Sequence, residues 1–133
     1  MINYEEILQK FPNGVLATQD GGKVKTRYFQ FLFCDGKKVY FCMANDKPVF
    51  KQIQANPYVS FCTTTKDFNP VMSINGKAVF VNDLALKNRA LDENPAIKGI
   101  YQSGDNPVFE LFYIDTVEIE TFDFAQGPQT FYL

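Results

Sequence analysis

Three basic residues have the types and spacing to bind an anion. Lys47 lies beside a predicted helix start that directly follows a predicted strand, and Lys51 lies one helical turn further on. Free amide groups and the helix dipole favour an anion at such a point. Arg27 lies on an earlier predicted strand, and a guanidinium can bind a phosphate through two hydrogen bonds. The three cations predict a phosphate site if that strand passes the helix start; the alternative is that they are solvated surface charges.

No side chain in the chain suggests catalysis without a cofactor. Histidine is absent, which removes the commonest metal ligand and the commonest general base at neutral pH. Cys34, Cys42 and Cys62 have no C-x-x-C spacing and lie in apolar runs, where free cysteine behaves as a small buried hydrophobic residue. We therefore expect reduced core thiols in a cytoplasmic protein, no metal site, and chemistry supplied by a cofactor.

Composition limits the class of protein. With 133 residues, 46% of them hydrophobic, the chain is predicted to form a single domain over residues 1–133. The net charge of −2 disfavours nucleic acid as a partner, although an oligonucleotide-binding barrel that stacks bases on exposed Phe and Tyr is an alternative. No apolar run is long enough for a membrane span and no export signal is visible, so we expect no membrane partner.

The first part of the chain predicts a helix followed by strands. Asn3 and Glu6 have the spacing of a capping box, which predicts a short N-terminal helix. The residues Asp20-Gly21-Gly22 predict a tight hairpin between strands at 15–18 and 24–34. A further turn at Asp35-Gly36 leads to a strand at 39–42.

The remainder alternates between helical and strand patterns. A second helix is predicted after residue 45, with Asn45 or Asp46 as its N-cap, and it ends at Asn56-Pro57. Strands follow at 58–64 and 72–81, and Gly76 predicts a bulge or a close backbone approach. Helical segments at 84–91 and from Pro95 to Tyr101 precede two strands at 109–114 and 117–124. The class is mainly β: an antiparallel barrel of about six to seven strands with short flanking helices.

Four segments carry a resemblance to a known family across nearly the whole chain. They are GVLATQDGGKVKTRYFQF, KVYFCMANDKPVFKQIQANPYVSF, SINGKAVFV and FELFYIDTVEIETFDF, in this order. The chain resembles the FMN-binding split-barrel proteins of the pyridoxamine 5'-phosphate oxidase-like family, in particular its short members related to nitroimidazole-resistance flavoproteins. The resemblance implies a split β-barrel and a homodimer that binds FMN between its two subunits.

The resemblance also implies site residues. Arg27 matches a phosphate-binding position on the second strand, and Lys47 matches one in the strand-to-helix loop. Residues expected against the flavin ring are Tyr28, Phe29, Gln30, Cys42, Met43, Ala44 and Asn45. Of these, Asn45 and Gln30 are the polar candidates for hydrogen bonds to FMN.

The chain departs from the family pattern at two places, and both bear on the expected activity. Full-length pyridoxamine phosphate oxidases have a lysine seven residues before the asparagine of the NP pair, where this chain has Val49, so Lys47 or Lys51 must substitute. Nothing matches the arginine-bearing C-terminal substrate segment of those oxidases, so oxidation of pyridoxamine phosphate is not expected.

The leading functional hypothesis is an FMN-dependent oxidoreductase that uses a reduced nicotinamide to reduce a small organic acceptor. The alternative is a non-enzymatic flavin or haem carrier on the same barrel. Haem is the weaker form of this alternative because no histidine is present to act as an axial ligand.

Overall fold

The computed structural model of the chain describes residues 2–133, and their side chains apart from that of Thr116. Within this range the strands are β1 (Asn13–Asp20), β2 (Lys23–Gln30), β3 (Phe33–Asp35), β4 (Lys38–Ala44), β5 (Tyr58–Thr64), β6 (Val71–Val81), β7 (Phe109–Asp123) and β8 (Gly127–Tyr132). The helices are α1 (Tyr4–Lys10), α2 (Pro48–Ala55), α3 (Leu84–Asp92) and α4 (Pro95–Tyr101).

One antiparallel sheet contains all of these strands. Its order is β2-β1-β5-β6-β7-β4-β3, and β8 pairs with the C-terminal part of β7. Strands β2 and β3 lie at opposite ends of this order, yet only Phe31 and Leu32 separate them in the chain. The N–H of Phe31 donates to Pro12 beside β1, and the N–H of Leu32 donates to Tyr40 on β4. The sheet therefore curls into a barrel, with a split between β2 and β4. This confirms the predicted antiparallel split barrel with flanking helices.

Two predicted strand boundaries are wrong. The strand predicted at 24–34 is divided into β2 and β3, because the backbone at Phe31 and Leu32 changes its bonding partner from the β1 side to β4. The strands predicted at 109–114 and 117–124 are one strand, β7, which pairs with β6 along most of its length. The tail adds β8 through a hairpin, so the structure contains eight strands where six to seven were expected.

Gly76 lies at the irregularity that separates the two predicted C-terminal strands. The register between β6 and β7 shifts between Asn75 and Lys77, and a Cβ on Gly76 would collide with the backbone oxygen of Asp115. The prediction of a bulge or a close approach at Gly76 is confirmed. Only glycine leaves room for the two backbones here.

The first turn of α2 differs from the prediction. Its N-cap is Lys47, with ψ of 147°, and not Asn45 or Asp46. The reason is local, since a residue before proline avoids the α region and Pro48 is the first helical residue. By contrast, the predicted cap of α1 is confirmed: the side chain of Asn3 accepts a hydrogen bond from the N–H of Glu6.

Apolar side chains form two clusters. The larger fills the barrel, where Phe41 contacts both Phe61 and Phe112 at ring-centroid distances of 4.7 and 5.6 Å. The smaller lies outside the barrel and joins Leu91 of α3 to Tyr40 and Phe109. This second cluster attaches α3, and with it α4, to the outer face of β4 and β7. In residues 2–133 no helix is long and apolar enough to cross a membrane.

Candidate functional site

A pocket of about 570 Å³ opens beside the split of the barrel. This volume lies in the range of small-molecule sites. Four elements surround the pocket: the end of β2, the end of β4, the first turns of α2, and α4. Its lining residues are Arg27, Tyr28, Phe29, Gln30, Cys42, Met43, Ala44, Lys47, Pro48, Val49, Gln52, Ile97, Ile100 and Tyr101.

Most of the residues singled out in the sequence line this pocket. The two strand segments, 27–30 on β2 and 42–44 on β4, lie side by side across the split, and Lys47 joins them from the start of α2. Strand β2 is placed by eight consecutive antiparallel pairs with β1. The hairpin that the glycines at 21 and 22 permit therefore sets the position of Arg27 relative to α2.

Asn45 and Lys51 lie outside this pocket. The side chain of Asn45 donates to the carbonyl oxygen of Pro107 at 2.7 Å and to the Glu110 carboxylate at 3.3 Å, so it ties β4 to the loop before β7. Lys51 lines a second cavity of about 270 Å³, which also includes Asp20 and shares Pro48 and Gln52 with the pocket. Of the two lysines considered for a phosphate, only Lys47 faces the pocket.

Arg27 is held by neutral acceptors. Its guanidinium donates from Nη1 to Thr18 Oγ1 at 2.7 Å and to the Leu16 carbonyl at 3.2 Å, and from Nη2 to Gln52 Oε1 at 2.7 Å. Within residues 2–133 no carboxylate forms a salt bridge with it. Partial burial lowers the pKa of the Arg27 guanidinium, yet arginine stays charged near neutral pH. The pocket therefore contains a fixed positive charge that the protein itself does not neutralise.

Lys47 and the first turn of α2 add to this positive potential. The Lys47 side chain is exposed, and no side chain caps the helix start. Pro48 has no N–H, and the N–H of Phe50 donates to the Lys47 carbonyl. In the described part of the chain this leaves the N–H of Val49 for an acceptor outside the helix. We call Arg27, Lys47 and Gln52 the charged end of the pocket.

Gln52 is a member of the charged end that sequence reasoning missed. It lies on α2, and its amide oxygen accepts from Thr18 Oγ1 at 2.8 Å as well as from Arg27. Thr18 and Gln52 are 34 residues apart, so no local pattern connects them. Helical spacing was the signal that could have found Gln52. It follows Pro48, which also lines the pocket, by one turn and therefore lies on the same face of α2.

The opposite side of the pocket is apolar. Ile97, Ile100 and Tyr101 of α4 have the i, i+3, i+4 spacing of one helix face, and we call these three residues the apolar wall. The Tyr101 ring packs on Phe109 at a centroid distance of 4.8 Å. Burial raises the pKa of Tyr101, and nearby Cys42 and Asp46 add to the shift. The apolar wall was also missed, although its spacing was visible in the sequence.

Cys42 lies between the two ends, on β4. Burial raises the pKa of its thiol to about 12, so the side chain is a neutral thiol near pH 7. A protonated thiol is a poor nucleophile and a poor metal ligand. Within the described residues no group of His, Cys, Asp or Glu has the arrangement of a metal site. The pocket thus combines a cationic end with a neutral, mostly apolar surface.

This pocket belongs to a chain with clear relatives. A family model described as pyridoxamine 5'-phosphate oxidase matches residues 2–123. No curated protein matches the chain by sequence. Among solved structures, a NimC/NimA family protein from Clostridium acetobutylicum is 28% identical, with a TM-score of 0.87 over 96% of this chain and 88% of that one.

Two more distant structures share the fold. An FMN-binding protein from Nostoc punctiforme related to pyridoxamine 5'-phosphate oxidase is 15% identical, with a TM-score of 0.58 over 92% of this chain and 86% of that one. A heme binding protein from Mycobacterium smegmatis is also 15% identical, with a TM-score of 0.74 over 95% of this chain and 55% of that one. With the family model matching most of its length, the chain belongs to the pyridoxamine 5'-phosphate oxidase family.

Proposed function

We propose that this protein binds FMN in the pocket and acts as a flavin-dependent oxidoreductase. The observation that carries the proposal is the environment of Arg27: hydrogen bonds fix this cation at one end of a mostly apolar pocket, and no carboxylate among residues 2–133 pairs with it. A ligand that matches this pattern needs a compact anion at one end and a large, flat, weakly polar body. FMN has both, in its phosphate and its isoalloxazine ring.

The residues present fit this group. Arg27 and Lys47 would hold the phosphate, with the N–H of Val49 as a further donor. Phe29, Cys42, Met43 and Ala44 would lie against the ring. The side chain of Gln30 donates to Asn94 at 3.3 Å, which leaves its amide oxygen as an acceptor for a ring N–H. The FMN-binding relative on the same fold supports this assignment.

The chemistry follows from the cofactor, since bound FMN supplies hydride and single-electron transfer. The protein's own residues bind the cofactor, orient it and keep one face of the pocket apolar. We propose a reduced nicotinamide as the electron donor and a small organic molecule as the acceptor. We place the reaction in the cytoplasm, where free thiols such as Cys42 stay reduced.

A second copy of the chain would complete the pocket. Tyr28 lines the pocket but is 82% exposed, and Ile100 on the apolar wall is 72% exposed. Large apolar side chains grouped at the mouth of a pocket are typical of an interaction surface. We propose a homodimer in which these residues become covered. Sedimentation of the FMN-bound protein at micromolar concentration should give twice the chain mass, and a monomeric mass would contradict the dimer.

A carrier function is the competing proposal, because a heme binding protein shares the fold. Its haem form has weak support in this chain, which contains no histidine and whose pocket cysteine is protonated. A flavin carrier would bind FMN equally well but would not turn over. Steady-state oxidation of reduced nicotinamide with a quinone or nitroaromatic acceptor separates the enzyme from the carrier.

The test of the proposal is a fluorescence titration of the purified protein with FMN, with riboflavin and hemin in parallel. We expect FMN fluorescence to change at a stoichiometry of one per chain, with a smaller affinity for riboflavin because it lacks the phosphate. A Soret band with hemin and no response to FMN would instead support the haem carrier. No response to any of the three would contradict a cofactor function.

A further inference from the structure

The amide of Gln52 has a defined orientation. Its oxygen accepts two hydrogen bonds, from Thr18 Oγ1 at 2.8 Å and from Arg27 Nη2 at 2.7 Å. The Arg27 contact decides which end of the amide is the oxygen, because a guanidinium can only donate and a reversed amide would place an N–H group against it. The Nε2 group therefore points away from Thr18 and Arg27. Among residues 2–133 no acceptor is bonded to it. Gln52 lines both the pocket and the second cavity beside Lys51.

The support of this network is buried. Thr18 is only 2% exposed and does not line the pocket, yet its hydroxyl contacts both Arg27 and Gln52. The three side chains thus form a closed triangle of hydrogen bonds. A guanidinium with several fixed acceptors loses less conformational freedom when a ligand binds, which favours tight and directional binding.

The neutrality of the network matters as much as its geometry. In the part of the chain that the structure describes, each acceptor of Arg27 is an uncharged oxygen, from the Thr18 hydroxyl, the Gln52 amide or a backbone carbonyl. A carboxylate at position 52 would occupy the same position as the amide oxygen and would neutralise Arg27. Glutamine differs from glutamate here by one charge and one NH₂ donor, and both differences favour an incoming anion.

We propose that Gln52 is the positioning residue that makes this site selective for a phosphorylated flavin: it orients Arg27 without neutralising it and presents its own Nε2 to the phosphate. This inference rests on the proposed function. Under this proposal, Gln52 of α2 determines the discrimination between FMN and riboflavin, and it does so largely through its effect on Arg27.

The decisive variant is Gln52→Glu. The new carboxylate should form a salt bridge with Arg27, so the melting temperature of the ligand-free protein should stay the same or rise. FMN should bind at least about tenfold more weakly, because one charge-assisted contact is lost and a negative charge faces the phosphate. Riboflavin affinity should be unchanged. A residue with only a structural role would not raise stability while lowering the affinity for one ligand alone.

Two further variants serve as controls. Gln54→Glu adds the same charge on an exposed position of the same helix and should leave the ratio of FMN to riboflavin affinity unchanged. Gln52→Met keeps the length of the side chain but removes its polar atoms. The FMN affinity and the ratio of FMN to riboflavin affinity should both fall, but less than in Gln52→Glu. Gln52→Met also tests the proposal if Gln52→Glu does not fold.

The experiment is isothermal titration of wild type and the variants with FMN and with riboflavin. If wild type binds FMN and the Gln52 variants keep the wild-type ratio of FMN to riboflavin affinity, the proposal for Gln52 is wrong and the proposed function stands. Equal losses for both flavins in both Gln52 variants would also overturn it, since they would indicate a structural role. If wild type binds neither flavin, the proposed function itself fails.

Discussion

At one end of the pocket, Arg27 lies on a strand that pairs with its neighbour at eight consecutive positions, and three protein oxygens within 3.2 Å hold its guanidinium. At the other end, Ile100 lies on a seven-residue helix in which no residue is buried. The charged end is anchored by directional hydrogen bonds. The apolar wall is held by the packing of Tyr101 on Phe109 and by hydrogen bonds of neighbouring residues, among them the one from Gln30 to Asn94.

The difference indicates a division of roles. A hydrogen bond to a charged group depends steeply on geometry, so the residues that make it must be positioned in advance. Apolar contact depends mainly on area and tolerates small displacements. We therefore expect the charged end to determine recognition of the phosphate, and the apolar wall to add affinity for any flat ring.

The largest effect should come from Arg27→Ala. Removal of the guanidinium should weaken FMN binding by about 3 kcal/mol, roughly a hundredfold in Kd, because the main charge-assisted contact is lost. Riboflavin binding should change little. Titration calorimetry measures both, and Lys25→Ala, an exposed cation on the same strand, is the control. Equal losses of FMN and riboflavin affinity would remove Arg27 from the phosphate site.

Lys47→Ala should have the next largest effect, about 1.5 kcal/mol or roughly tenfold in the Kd for FMN. The effect is smaller than that of Arg27 because Lys47 is exposed and no hydrogen bond positions it. The matched control is Lys51→Ala, one turn further along α2, which should leave FMN binding unchanged. If Lys51→Ala weakened binding more than Lys47→Ala did, the placement of the phosphate would be wrong.

Ile100→Ala tests the apolar wall. The loss of contact area should weaken binding by about 1 kcal/mol, and by the same amount for FMN and riboflavin, because the wall does not contact the phosphate. Ile100→Leu retains the volume and should bind both ligands like wild type. A loss confined to FMN would contradict the division between the two ends.

The smallest effect concerns pH. The pKa of the Cys42 thiol is raised from 9.0 to about 12 by burial, so the folded protein holds this proton more tightly than the unfolded chain. The associated stability is complete below pH 9 and is lost as pH rises toward 12. From about pH 8 to about pH 9 we expect Cys42 to contribute a loss of about 0.4 kcal/mol. Burial also raises the pKa of the Cys34 thiol to about 12, so Cys42→Ala should remove part of the loss and leave the contribution of Cys34. Urea unfolding at the two pH values measures it; the same loss in both proteins would contradict the assignment to Cys42.

Local sequence signals located two elements that border the pocket. The glycines after Asp20 permit the positive φ of 62° at Gly21, which closes the hairpin of β1 and β2. Pro48 restricts Lys47 to an extended conformation and so begins α2 at that point. Both effects depend on the backbone of adjacent residues, and therefore Arg27 and Lys47 could be singled out from the sequence.

Other features depend on contacts between distant segments. The exchange of bonding partners at Phe31 and Leu32 requires Pro12 and Tyr40 to be in place, and it divided a strand that looked continuous. Asn45 was a predicted cap, but the cap is Lys47, and the side chain of Asn45 donates to the loop at Pro107. The packing of α4 through Phe109 decided that Ile97 and Ile100 face the pocket.

The sequence by itself determined the class of fold and the hairpin that carries Arg27, and it located α2 to within a few residues of its start. These properties follow from residue type, turn chemistry and helix caps, which act over a few residues. Only the tertiary structure decided that Lys47 faces the pocket while Lys51 does not, and that Gln52 joins Arg27 across 25 residues of chain. The physical reason is that barrel closure, which brings distant side chains within hydrogen-bond distance, is a property of the whole sheet.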